Sequence, residues 1–193
     1  MKGRTSLSAA PGLDVDVATE PLIAWRAWAL TGGREGTDLM LRPVAGRARP
    51  WRPREIAEAA CKSARFHSAP HPGCTCGLHG THGFEVLRKT RCPAVLGRVA
   101  LWGRVIEHEY GYRAQFAYPQ RLRLICQFCF WMRGPRADRP ELVGWFPKDE
   151  LVPICGEHLT LAARYGMEPR NLLDAAEVDG RLRDTYVVDA LAV

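Results

Sequence analysis

The sequence predicts an α+β fold in which a small antiparallel β-rich domain precedes a shorter C-terminal element organised around cysteine and histidine. Three observations predict it. Between Val95 and Tyr118 three short runs read as strands, and Val105, Glu107 and Glu109 set against Ile106, His108 and Tyr110 give the alternation that suits a half-buried sheet. The seven cysteines, an odd number, fall mostly in Cys-x-Cys, Cys-x-x-Cys and Cys-x-x-His groups instead of the spread of a secreted disulfide framework. A hydrophobic content of 47% over 193 residues supplies enough apolar surface for a core that folds unaided.

Taken in order, residues 1–20 are small, polar and aperiodic, the pattern of a mobile leader. A β-rich unit follows over 21–124. Pro21 to Leu30 is apolar and aromatic, stops at Thr31-Gly-Gly33 and is followed by Leu39 to Pro43, which reads as a hairpin or two neighbouring strands. Trp51 to Cys61 has a helical pattern, with Pro53 near its start and Ile56, Ala59 and Ala60 on one face. Lys62 to Gly83, rich in Gly, Pro and His, is a loop that needs something to hold it. Val95–Gly103, Arg104–Tyr110 and Tyr112–Tyr118 form an expected antiparallel meander bent at Tyr110-Gly-Tyr112.

Residues 125–166 make the finger-like element. A Gly/Pro/Arg-rich turn, Gly134 to Pro140, leads to two apolar runs, Leu142–Phe146 and Leu151–Cys155, which suit a hairpin around Trp145. His158 to Tyr165 is helical and ends at Gly166, the residue suited to a left-handed C-cap. In the tail, 167–193, a short helix over Arg170–Glu177 is expected to stop near Gly180, and the apolar run Tyr186–Val193 suits either an edge strand or a docking segment.

Cys126-x2-Cys129 and Cys155-x2-His158 supply four ligands in two close pairs, the arrangement by which tetrahedral Zn2+ joins distant chain segments. Four protein ligands close the coordination sphere, so such a site is structural. A second group is Cys61 with Cys74-x-Cys76. Its fourth ligand is expected to be His71 or Cys92, with His67, His79 and His82 also within the loop. One zinc is therefore expected, and two are feasible. An open position at the second group would instead allow Lewis-acid chemistry.

Two resemblances follow from these residues. The order of first pair, hairpin, then second pair opening a helix, over Leu124 to Gly166, resembles a treble-clef zinc finger. Trp51-x-Pro with Cys61, Cys74-Thr-Cys-Gly-Leu-His79, the run from Gly97 through Leu101-Trp-Gly-Arg-Val-Ile-Glu-His-Glu-Tyr-Gly-Tyr-Arg-Ala114, and Ala117-Tyr-Pro119 are similar to a group of actinobacterial proteins of unknown function. Leu161-Ala-Ala-Arg-Tyr-Gly166 also fits that group. This resemblance implies a shared β-rich domain with the Cys-x-Cys-Gly loop attached; it implies no activity, and the finger-like insert departs from the simpler members.

Charge narrows the partners. The net charge is +6, and residues 42–139 carry eighteen basic against six acidic side chains, whereas 140–193 carry five against ten. A basic middle suits nucleic acid or another polyanion through counterion release, and Arg121, Arg123, Arg133, Arg136 and Arg139, with Arg88, Lys89, Arg91 and Trp131 near them, are the candidate contacts. A protein partner is the other expectation. No run reaches the roughly 18–20 apolar residues of a membrane span, and no signal-peptide pattern opens the chain, so a cytoplasmic location is expected. The enzyme alternative, a hydrolase or nuclease, uses the Cys61/Cys74/Cys76 group, or His108 as base with Arg113 on an anionic substrate. Glu107 and Glu109 point away from His108 on a regular strand, which weakens that alternative.

Overall fold

A computed structural model of the chain describes residues 15–32, 38–44, 49–63, 66–91, 93–133, 139–146, 150–164 and 171–192, without the side chains of 15–19. The elements in order are β1 (Val15–Thr31), β2 (Met40–Pro43), β3 (Ala57–Glu58), β4 (Leu78–Thr81), a 3-10 turn (Phe84–Lys89), β5 (Val95–His108), β6 (Gly111–Leu124), α1 (Gln127–Arg133), β7 (Leu142–Phe146), β8 (Glu150–Ile154), α2 (Gly156–Arg164), β9 (Leu172–Asp174), α3 (Ala175–Tyr186) and β10 (Asp189–Ala190). The fold is the α+β one expected, an antiparallel β-rich body with a few helices.

Its centre is the long β5–β6 hairpin, paired from Val95↔Leu124 to His108↔Gly111. Burial along β5 does not follow the expected period of two, because both faces of its first half are covered, and the expected break at Gly103 is a bulge inside one strand. The register slips between Trp102 and Val105, and Gly103 takes φ +75°, a conformation glycine adopts without a Cβ penalty. β1 runs antiparallel along the other edge of β5, from Val15↔Ile106 to Trp28↔Val95. The last six residues assigned to a leader are thus strand. β4 pairs with β6 and, through Thr81↔Trp25, with β1, so β1, β5, β6 and β4 close on themselves. Arg26 reinforces the closure: it donates to the His79 carbonyl and lies 4.7 Å from the Trp51 ring centre. Gly80 faces the interior, where a Cβ would stand 2.6 Å from that of Ala24.

Inside lie Ala24, Trp28, Val99, Leu101, Val105, Ala114 and Leu122, and α3 adds Val178, Leu182 and Tyr186 to the same core. A second cluster, Ala27, Leu96, Ile125, Phe130 and Leu191, fills the opposite face under α1. β8 pairs with β7 on one side and with β1 on the other, at Leu30↔Leu151 and Thr31↔Glu150. Hydrogen-bonded strands therefore cross the division expected at residue 125.

Two helix assignments are corrected. Trp51 to Cys61 is not helical. Trp51 donates to the Leu41 carbonyl at 2.8 Å, Arg54 is left-handed at φ 59°, and β3 pairs with Phe116 and Ala117 of β6. Pairing with distant strands overrides a local helical pattern. The tail helix begins at Ala175, not Arg170, and runs through Gly180. Asp174 caps it by accepting from the Glu177 backbone N–H at 2.8 Å, and Leu172–Asp174 is instead strand, paired with β7. Gly166 and Arg170 lie outside the described residues. The C-terminal run supplies an edge strand: β10 lies parallel to β6 beside Arg121 and Leu122.

Candidate metal centres

The first centre is built from two helix starts. β6 ends at Leu124, and Cys126 follows with its carbonyl accepting from Phe130 N at 2.9 Å, so Cys126 and Cys129 share one turn and one face. The Cys155 carbonyl likewise accepts from Leu159 N at 2.9 Å, which places Cys155 and His158 one turn apart at the start of α2. The β7–β8 hairpin lies between the two pairs and sets them face to face.

The four ligand atoms converge. Cys129 Sγ and Cys155 Sγ are 3.6 Å apart, and His158 Nδ1 lies 3.7, 3.3 and 3.1 Å from the sulfurs of Cys126, Cys129 and Cys155. A tetrahedron with Zn–S bonds of about 2.3 Å has sulfur–sulfur edges of about 3.8 Å and slightly shorter sulfur–nitrogen edges. The group has that size. All four ligands are buried, and Phe128 stacks on the His158 ring with centroids 5.2 Å apart. Burial, followed by the neighbouring Cys126 thiol, pushes Cys129 up to about 12. Collecting three thiolates here thus calls for a cation, and Zn2+ fits the donor set.

The second centre sits on the loop folded over the barrel end. Cys61 Sγ and Cys74 Sγ are 3.8 Å apart, and Cys76 Sγ is 3.4 Å from His67 Nε2. The fourth ligand is therefore His67, not His71. The His71 ring stacks behind His67 at 4.4 Å, and its Nδ1 accepts from Gly73 N. Cys92 lies outside the described residues. His79 donates to the Thr75 carbonyl, and His82 pairs with Glu107 at 3.0 Å. Within the pair of thiols on the turn, the Cys76 amide lowers the Cys74 pKa, while burial raises that of Cys76. These four ligands, half-buried, also fit Zn2+ and leave no open position for substrate.

What orders this loop is an arginine. Arg113, 9% exposed, donates through one guanidinium nitrogen to the carbonyls of His71, Cys74 and Cys76, and Arg104 reaches the Ala69 carbonyl. Arg113 is thus committed to the loop and not to an anionic substrate. The expected base, His108, accepts from Tyr110 N at the β5–β6 turn.

The proposed nucleic-acid contacts are dispersed. Arg121 and Arg123 alternate along β6, Arg133 ends α1, Arg139 precedes β7, and Arg136 lies outside the described residues. Arg88 caps α1 by donating to the carbonyls of Trp131 and Met132, and Trp131, 40% exposed, donates to the Thr90 carbonyl. Sequence reasoning missed Arg98. It pairs across the strands with Arg121, and its guanidinium lies 4.7 Å from the Trp25 ring centre. The strand pattern of the sequence does not show the register, shifted by bulges at Arg98/Val99 and Trp102/Val105, that opposes these two.

Among the described residues no helix is long and apolar enough to cross a membrane. No family model, curated protein or solved structure matches this chain.

Proposed function

We propose that this protein is a zinc-stapled module that binds nucleic acid through the arginine-bearing face of its β1–β5–β6 sheet. The observation that carries the reading is the Arg98–Arg121 pair. Like charges directly opposite on neighbouring strands are destabilising, and burial and Arg121 together depress the Arg98 pKa. Among the described residues no carboxylate lies within ion-pair distance of either, although Asp189 is in register beside Arg121 on β10. A phosphate backbone relieves that repulsion. Trp25, half-buried with Arg98 over its face, and exposed Ile23 supply an apolar surface for base stacking beside it.

On this reading the two zinc groups are staples. The Cys126–His158 element is a treble-clef-like finger that fixes the end of the sheet, and the barrel with its Cys-x-Cys-Gly loop is the part shared with the actinobacterial proteins its motifs resemble. The test is fluorescence anisotropy with single-stranded and duplex DNA and RNA at about 50 and 200 mM salt. Expected are binding that weakens steeply with salt and a loss of roughly tenfold or more in Arg98→Ala/Arg121→Ala. Absent or salt-insensitive binding overturns the reading and turns attention to a protein partner.

A further inference from the structure

We propose that Cys61 and Cys74 form a peroxide-oxidisable pair whose conversion to a disulfide expels zinc from the loop centre while the Cys126–His158 centre stays loaded. The proposal rests on the reading of both groups as zinc sites and adds a division of labour between them.

Three observations carry it. The first is access. Cys61, Cys74 and Cys76 are each partly exposed residues, open to a small oxidant from solvent, whereas all four ligands of the other centre are buried. Thiolate reactivity follows access as well as charge. The second is geometry. Cys61 Sγ and Cys74 Sγ stand 3.8 Å apart, and closing them to the roughly 2.05 Å of a disulfide links segments separated by a loop. Cys74 and Cys76, with one residue between them, make a far shorter and more strained ring.

The third is that the loop is held by something besides metal. Arg113 binds three of its carbonyls and Arg104 a fourth, and neither contact involves a ligand atom. Zinc loss therefore leaves the loop in place, ready to bind again. The buried centre is different, since its cysteines are themselves much of the small cluster they form with Ile154 and Ala162.

The step balances without another cofactor. One thiolate attacks a peroxide oxygen, giving a sulfenic acid and releasing hydroxide; the second thiolate attacks that sulfur, forms the S–S bond and releases a second hydroxide. Two thiolates lose one electron each, and hydrogen peroxide takes both. Cys76 and His67 alone do not retain Zn2+, which leaves as the free ion.

The experiment uses the full chain as purified. Elemental analysis counts zinc first: two per chain is expected, and a count of one or none fails the two-centre reading before any oxidant is added. The chain is then titrated with hydrogen peroxide while a chromogenic chelator reports released zinc, followed by alkylation, digestion and mass spectrometry. Release of one zinc, a Cys61–Cys74 link, Cys126, Cys129 and Cys155 alkylated only after unfolding, and recovery of the second zinc on thiol reduction support the proposal. Loss of both zincs together, no loss, or a link between any other pair overturns it.

Discussion

Tyr186 shows how much one side chain joins. Its hydroxyl donates to the Trp51 carbonyl at 2.5 Å and accepts from Leu41 N at 2.9 Å, so the end of α3 is locked to β2 and to the residue that replaces the expected helix. Tyr186→Phe leaves a buried donor and a buried acceptor without partners, and the expected cost is about 1–3 kcal/mol in urea unfolding of the zinc-loaded protein. Burial also raises the Tyr186 pKa to about 12. The folded state thus keeps a proton that the unfolded chain releases near 10. This contribution is full below about pH 10 and is lost as pH rises toward about 12. Stability measured from pH 9 to 11.5 should fall more steeply in the wild type than in the phenylalanine variant.

At the scale of elements, the two centres predict different failures. Structural zinc contributes about 10–16 kcal/mol to the segment it folds, as much as the whole stability of an ordinary domain. Cys126→Ser is expected to lose one zinc and to open α1, the β7–β8 hairpin and α2 to limited proteolysis. Cys76→Ser is expected to lose one zinc with the barrel left resistant, because Arg113 still grips the loop carbonyls. Elemental analysis and a protease time course separate the two cases. The paired ligands were legible in sequence because each pair is a local spacing within one turn. His67 was not, because the choice between it and His71 depends on where Arg113, forty-odd residues away, clamps the loop. The false helix at Trp51–Cys61 has the same origin: its backbone groups are claimed by Leu41 and Gln115, partners no local pattern announces. The start of α3 was legible and missed, since Asp174-x-x-Glu177 is an N-cap signal.

For the molecule as a whole, β1 is the shared strand. It pairs with β2, β4, β5 and β8, so the barrel, the closing strand of the Cys-x-Cys loop and the hairpin of the buried zinc element all hang on one stretch of backbone. Apart from β2, its partners lie far away in sequence, Val15 against Ile106 and Thr31 against Glu150. Such non-local pairing makes folding slow relative to a helical protein of this size. It also makes β1 the slowest clock in the native state. Backbone amides of residues 22–31 should exchange with deuterium only when everything opens at once, whereas those of the Cys61–Cys76 loop exchange through local openings. Hydrogen exchange read by mass spectrometry would show the protected stretch as a single late step. Stripping zinc from the buried centre should bring that step forward, because the release of β8 leaves the end of β1 with one neighbour fewer.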